Sequence, residues 1–134
     1  MPKISKIVSN FLFEALQKIA EKKVKIVITT DHGSVRVQNP VKIIGDKNTN
    51  SNLRYKTAKN LAFDKQEAFE VKHPHEVSLP VLHMSSTYAI DKNNDFFAYP
   101  NNYNYYANYY RNTFQHGGIS MEEMIVPFIV MQSK

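Results

Sequence analysis

Apolar residues recur at helical spacing near the start of the chain. Ile4, Ile7, Val8, Phe11, Leu12, Ala15, Leu16, Ile19 and Ala20 fall on one stripe, which predicts a helix over residues 4 to 22. Glu21-Lys22-Lys23 closes it, and lysines in a last turn complement the negative end of the helix dipole. Almost at once comes Val24-Lys25-Ile26-Val27-Ile28, a run that predicts a buried strand over Val24 to Thr29. Helix followed directly by strand is the unit from which layered α/β folds are built.

Beyond that strand the pattern weakens. A short extended piece is expected around Val35-Arg36-Val37 and a turn at Asn39-Pro40. Gly45 to Asn52 is a polar loop with little to bury, and Thr57 to Leu61 reads as a marginal helical stretch. Residues 64 to 78 are polar and weakly patterned, a surface excursion. Leu79 to Ala89 and Phe96 to Tyr99 read as extended. In residues 101 to 113, Tyr103, Tyr106 and Tyr110 share one helical face and Tyr105 and Tyr109 another, predicting a helix with rings on two sides. Ser120-Met121-Glu122-Glu123 has the form of a capping box, Pro127 stops that turn, and Phe128 to Met131 reads as a last strand. No repeat and no linker divides the chain, so one domain over residues 1–134 is expected, α/β with a central sheet.

A length of 134 residues suffices for one core, and 43% apolar with 22% charged residues is ordinary for a globular protein. No apolar run approaches the ~20 residues of a membrane helix, so no membrane partner is expected. The absence of cysteine excludes disulfides, thiolate metal sites and thiol catalysis, and agrees with a cytoplasmic location. Any metal must therefore be held by His, Asp, Glu or backbone. A net charge of +5 suits an anionic partner, although a solvated basic surface accounts for it equally well.

Two separated motifs carry the chemistry: Thr30-Asp31-His32-Gly33, and His116-Gly117-Gly118-Ile119-Ser120-Met121-Glu122-Glu123. Asp31, His32 and His116 are ligand types that zinc and similar ions accept, and the glycines permit close backbone approach. Polar loops and a helix cap explain the same residues more plainly. Glu123 reads as the helix capper, and Glu122 has no assigned role. Arg54 and Lys56 flank Tyr55, so in extended chain they face the same way, an arrangement suited to a phosphate. His73, His75 and His83 read as surface residues. The tyrosine cluster could stack bases of a single strand or serve as core or interface.

Several of these stretches also resemble a known family. They are Ile28-Thr29-Thr30-Asp31-His32-Gly33-Ser34, Gly45-Asp46 followed by Asn52-Leu53-Arg54-Tyr55-Lys56, Tyr99-Pro100-Asn101-Asn102, and the run from Thr113 to Pro127. Together they resemble the C-terminal part of the PglZ domain, of the alkaline phosphatase superfamily, with most likeness to PorX-like response regulators. The resemblance implies an alkaline-phosphatase-like layered fold with a central sheet, of which this chain is the C-terminal portion only. It implies a two-zinc phosphohydrolase, a phosphodiesterase acting on oligonucleotides in two-component signalling. Asp31 and His32 would bind the metal that activates the nucleophile, His116 the second metal, and Arg54 and Lys56 the substrate. The implied partners are a phosphodiester substrate, an N-terminal receiver domain and the rest of the PglZ domain.

The family's nucleophile and remaining ligands precede the Asp-His motif, but residues 1–30 hold no histidine and no aspartate. Thr29 and Thr30 do not occupy the nucleophile position. The expectation is a segment that binds zinc weakly and hydrolyses phosphate esters poorly. Other readings are a nucleic-acid-binding module without chemistry, and a homodimer formed through the tyrosine-rich helix.

Overall fold

In the computed structural model, residues 2–132 are described, with side chains from residue 10 onward. The stripe positions Ile4, Ile7 and Val8 therefore have side chains outside the described residues. Helix α1 (Pro2–Ala20) is followed by β1 (Lys25–Thr29), β2 (Val35–Arg36), β3 (Asn39–Gly45), β4 (Tyr55–Ala58), β5 (Leu61–Phe63) and β6 (Ala68–Val71). A 3-10 turn (Pro74–Val77) leads to β7 (Thr87–Asp91) and β8 (Asp95–Ala98). Then come α2 (Tyr103–Tyr110), β9 (Phe114–Gln115), α3 (Met121–Met124) and β10 (Phe128–Gln132). The chain forms two compact units, one of residues 1–30 with 127–134 and one of residues 31–126.

Within the larger unit, strands make small sheets rather than one central sheet. One has the order β5-β3-β8, a second β4-β7-β6, and β2 pairs with β9. Residues alternate between faces along a strand, and β8 shows the consequence. Phe97 packs with Val41 and Ile43 of β3, Ala68 of β6 and Ala89 of β7. Phe96 and Ala98 turn the other way, to Val35 and Val37, with Leu53, Tyr103 and Tyr110 against them. Both faces of β8 are buried, which is why Phe-Phe-Ala carries no polar alternation.

Several expected elements differ, each for a local reason. Asn39-Pro40 opens a strand instead of a turn: β3 runs parallel to β8 over Asn39–Lys42, while β5 reaches only Ile43–Gly45. Pro40 thus sits on an open edge, where its missing N–H is tolerated. The expected helix over Thr57 to Leu61 is two strands, β4 and β5. The Asn50 side chain accepts the Thr57 N–H at 3.0 Å, and β4 pairs antiparallel with β7. The polar stretch 64 to 78 supplies β6, whose single buried residue, Ala68, gave little signal. Leu79 to Ala89 becomes a strand only from Thr87.

In the smaller unit β1 and β10 form an antiparallel pair, Val27 facing Val130. Phe13, Leu16 and Ala20 of α1 line a cleft of about 350 Å³ with Ile26 and Met131. Among the described residues, no helix is long and apolar enough to cross a membrane.

Candidate functional site

The pairing of β2 with β9 brings the two motifs together. Val35 faces Gln115 and Arg36 faces Phe114 in an antiparallel ladder. The residues just before β2 and just after β9 therefore emerge at the same end. His32 and His116, 84 positions apart, stack there with ring centroids 3.7 Å apart and planes 8° from parallel. The Asp31 carboxylate lies 3.7 Å from His32 Nε2 and is almost wholly exposed.

Aspartate and imidazole are donor types that zinc accepts. His32 Nδ1 lies 2.7 Å from the Gly33 carbonyl, which can only accept, so Nδ1 carries the proton. Nε2 lies on the side of Asp31, 3.7 Å from its carboxylate. Three residues do not close a shell, however. Among the described residues there is no group of three or more His, Cys, Asp or Glu side chains placed to hold a metal ion.

Beneath the histidines lies a buried ion pair. Arg54 Nε and one terminal nitrogen each donate to Glu123 at 2.9 Å, a bidentate fork between side chains 0% and 2% exposed. Arg54 also donates to the carbonyls of Asn93, at 2.7 Å, and Asp95. Glu123 returns two further bonds, accepting the N–H of Gly118 at 2.9 Å and of Ser120 at 3.2 Å. Of the expected capping box, the Glu123 half is made, its carboxylate accepting the Ser120 N–H, while the Ser120 hydroxyl has no hydrogen-bond partner. Burial alone would push the Glu123 carboxyl up, but the hydrogen bonds from Arg54, Gly118 and Ser120 outweigh it and hold the carboxyl below its ordinary value.

Arg54 and Lys56 do not face solvent. Both are buried, so the structure places them in the interior instead of on a substrate-facing surface. Arg54 spends its donors on protein acceptors. Lys56 donates to the Asn50 carbonyl at 3.0 Å and lies 4.8 Å from the Tyr99 ring centroid. Burial lowers its pKa to about 8, against the opposing charge of Asp91. Asp91 itself is buried with neither carboxylate oxygen hydrogen-bonded, and burial pushes it up to about 9 despite the cationic neighbours Arg54 and Lys56.

The glycines prove to be packing requirements. A Cβ on Gly118 would stand 2.6 Å from Glu123 Oε2 and 2.9 Å from an Arg54 nitrogen. One on Gly33 would stand 2.0 Å from the Glu122 carbonyl oxygen. Close approach is thus to the chain's own ion pair and helix. The Glu122 side chain is exposed. His73 and His75 meet edge to face at 6.1 Å, on a separate loop. The tyrosine helix forms as expected, with Tyr105 on Tyr109 at 6.0 Å and Tyr106 on Tyr110 at 6.1 Å.

A family model described as the BREX system PglZ alkaline phosphatase-like domain matches residues 3–131. The chain belongs to the PglZ family. Both histidine motifs of this PglZ chain fall inside the match, as does the buried Arg54–Glu123 pair. The family is one of phosphohydrolases, generally metal-dependent. No curated protein matches the chain.

Sequence reasoning missed Asp91 and Asn52. Asn52 accepts the N–H groups of Arg54 and Tyr55 and donates to the His116 carbonyl at 3.3 Å. Its signal was only an asparagine preceding an extended run. Asp91 ends the apolar run Tyr88-Ala89-Ile90, where burial could have been suspected.

Proposed function

We propose that this PglZ chain contributes half of a two-zinc centre in a phosphodiesterase acting on oligonucleotides, of the kind found in PorX-like response regulators. The stacked His32–His116 pair, with Asp31 beside it, is the observation that carries the reading. Asp31 and His32 would share one ion and His116 would hold the other. The near-parallel rings, with centroids 3.7 Å apart, would offer their nitrogens side by side to two ions rather than both to one. When bound, two such ions neutralise charge on the attacking and leaving oxygens of an in-line displacement.

The chain's own residues do three things. Asp31 supplies negative charge at the exposed rim, where it meets little desolvation cost. The Gly33 carbonyl fixes the His32 tautomer, presenting Nε2. Arg54 acts through Glu123 to set the His-Gly-Gly loop and does not meet substrate. Three ligands divided between two ions complete neither shell, so with these residues alone zinc would be held weakly and turnover would be poor. Its partners would be a phosphodiester substrate, a receiver domain and the rest of a PglZ domain, in the cytoplasm.

The test is a zinc titration of the chain followed by nuclear magnetic resonance, reversed with chelator. Zinc is expected to broaden or shift the ring signals of His32 and His116 and to leave those of His73 and His75. Zinc binding that is indifferent to His32→Ala and His116→Ala overturns the reading.

A second reading has its own support. Tyr105 and Tyr109 are 63% and 62% exposed and already stacked, and no acidic residue occurs between Asp95 and Glu122. Such rings offer a platform for bases of a single strand. That reading requires oligonucleotide binding that falls with salt and ignores chelator. A homodimer through the same helix would instead associate with concentration and survive salt.

A further inference from the structure

We propose that Glu123 is the residue that assembles the histidine pair, holding the two loops with two different parts of itself. Its carboxylate accepts the N–H of Gly118, two residues after His116, at 2.9 Å. Its backbone carbonyl accepts the N–H of Gly33, the residue directly after His32, also at 2.9 Å. Each imidazole therefore stands within two residues of a bond to Glu123.

The anchor beneath it is rigid. Arg54 grips the carboxylate with a bidentate fork and is itself held by the carbonyls of Asn93 and Asp95. Asp95 also accepts from the Asn39 side chain at 2.9 Å, which ties this turn to the start of β3. Asn52 adds a bond to the His116 carbonyl from the other side. A continuous set of bonds thus runs from the sheets through Glu123 to both loops, beside the β2–β9 pairing and the Asn52 tie to the His116 loop.

The chemistry explains why a carboxylate stands there. Its two oxygens serve four donors: Arg54 Nε and Gly118 N–H on one, an Arg54 terminal nitrogen and Ser120 N–H on the other. An amide of the same shape has one oxygen, and its NH₂ would face two of those donors. A residue that only capped α3 would need neither Gly118 nor Arg54.

The proposal takes the histidine pair as the site from the preceding reading, yet its test needs no metal. Stacked rings shift one another's proton resonances, so the His32 signals of the metal-free chain should change on His116→Ala. Glu123→Gln should abolish most of that mutual shift and speed amide exchange at both Gly33 and Gly118, with Phe97 and Ala89 still protected. Retention of the shift and of both protections overturns the proposal. Ser120→Ala removes a buried hydroxyl that has no hydrogen-bond partner and keeps the backbone N–H that Glu123 accepts, so it should leave the shift in place; losing it there would assign the effect to the start of α3 and overturn the proposal. If Glu123→Gln does not fold, exchange in the wild-type chain decides. Gly33 and Gly118 amides as protected as strand amides support the assembly, and amides as fast as those of the loop at Lys47 overturn it. Zinc that moves neither histidine signal would sink the ligand reading and leave the role of Glu123 standing.

Discussion

Arg54 and Glu123, 69 positions apart in the chain, meet as a fully buried fork with both bonds at 2.9 Å. Removing one partner leaves a charge uncompensated in the interior, so Arg54→Ala or Glu123→Ala should each cost about 3–5 kcal/mol in unfolding free energy. The double change Arg54→Met with Glu123→Leu should recover only part of that loss: it removes both charges together but leaves the Gly118 and Ser120 N–H groups and the Asn93 and Asp95 carbonyls without these partners. Urea unfolding curves measure all three. Because the Glu123 carboxyl is held below its ordinary value of 4.5, its contribution is present above that pH and is lost as pH falls through the lower folded value. Acid should therefore unfold the wild type more steeply below pH 4.5 than it unfolds the double variant.

Asp91 has the opposite sign. Its folded value of about 9 lies above the ordinary 3.8, so the unfolded chain binds fewer protons between those values. Stability from this group falls as pH rises across that window, by at most about 1.4 kcal/mol per pH unit. Asp91→Asn, neutral at every pH, should match the wild type near pH 4 and exceed it at pH 8. Lys56, lowered to about 8, works against this trend between about pH 8 and its ordinary 10.5, where the unfolded chain binds more protons. Thermal melts from pH 4 to pH 8 for both proteins give the comparison. Equal slopes would show that Asp91 is charged in the folded chain.

These two groups also mark where sequence patterning stops being informative. The first helix was legible because its apolar positions repeat with the helical period, while β1 and β10 were legible only as short apolar runs; the burial expected of β1 is not found, since its residues alternate between exposed and half-buried. The tyrosine helix was legible for the same reason as the first helix, as Tyr105 and Tyr109 at four-residue spacing do stack. By contrast β4 contains Lys56, a cation only 1% exposed, and hydrophobic periodicity cannot register a buried charge. Arg54 and Lys56 were read as facing a phosphate, but charge suggested solvent where tertiary partners impose burial. Asp31, His32 and His116 were recognisable as ligand types; that they meet depends on two residues of β2 pairing with two of β9, a long-range match without local signature.

Gly33 and Gly118 should tolerate even alanine poorly, and unequally. At Gly118 the obstacles are the ends of two side chains, so the ion pair can give a little, at about 1–3 kcal/mol. At Gly33 the obstacle is the Glu122 backbone carbonyl, 2.0 Å from the added carbon, and α3 itself must move. Gly33→Ala is therefore expected to be the more damaging of the two in stability, and to separate the imidazoles. Gly118→Ala should weaken the Arg54 fork first. Unfolding curves rank the pair, and a Gly33→Ala protein as stable as wild type would show that this approach is looser than described.

The tyrosine helix offers a prediction that separates stability from binding. The Tyr103 hydroxyl donates to the Pro40 carbonyl at 2.8 Å, while its ring packs against the cluster of Val35, Val37 and Phe96. Tyr103→Phe removes that donor and leaves a carbonyl unpaired, for a loss of about 1 kcal/mol. Tyr105 and Tyr109 point outward, so replacing both with serine should change stability by no more than about 0.5 kcal/mol each. If the exposed rings carry single-stranded nucleic acid, the same double change should cost about 1–3 kcal/mol of affinity per stacked base. Fluorescence anisotropy with a labelled oligonucleotide at two salt concentrations, alongside thermal melts, reads both effects. An affinity untouched by the double change would assign the rings to another surface and leave the histidine pair as the candidate for phosphodiester recognition.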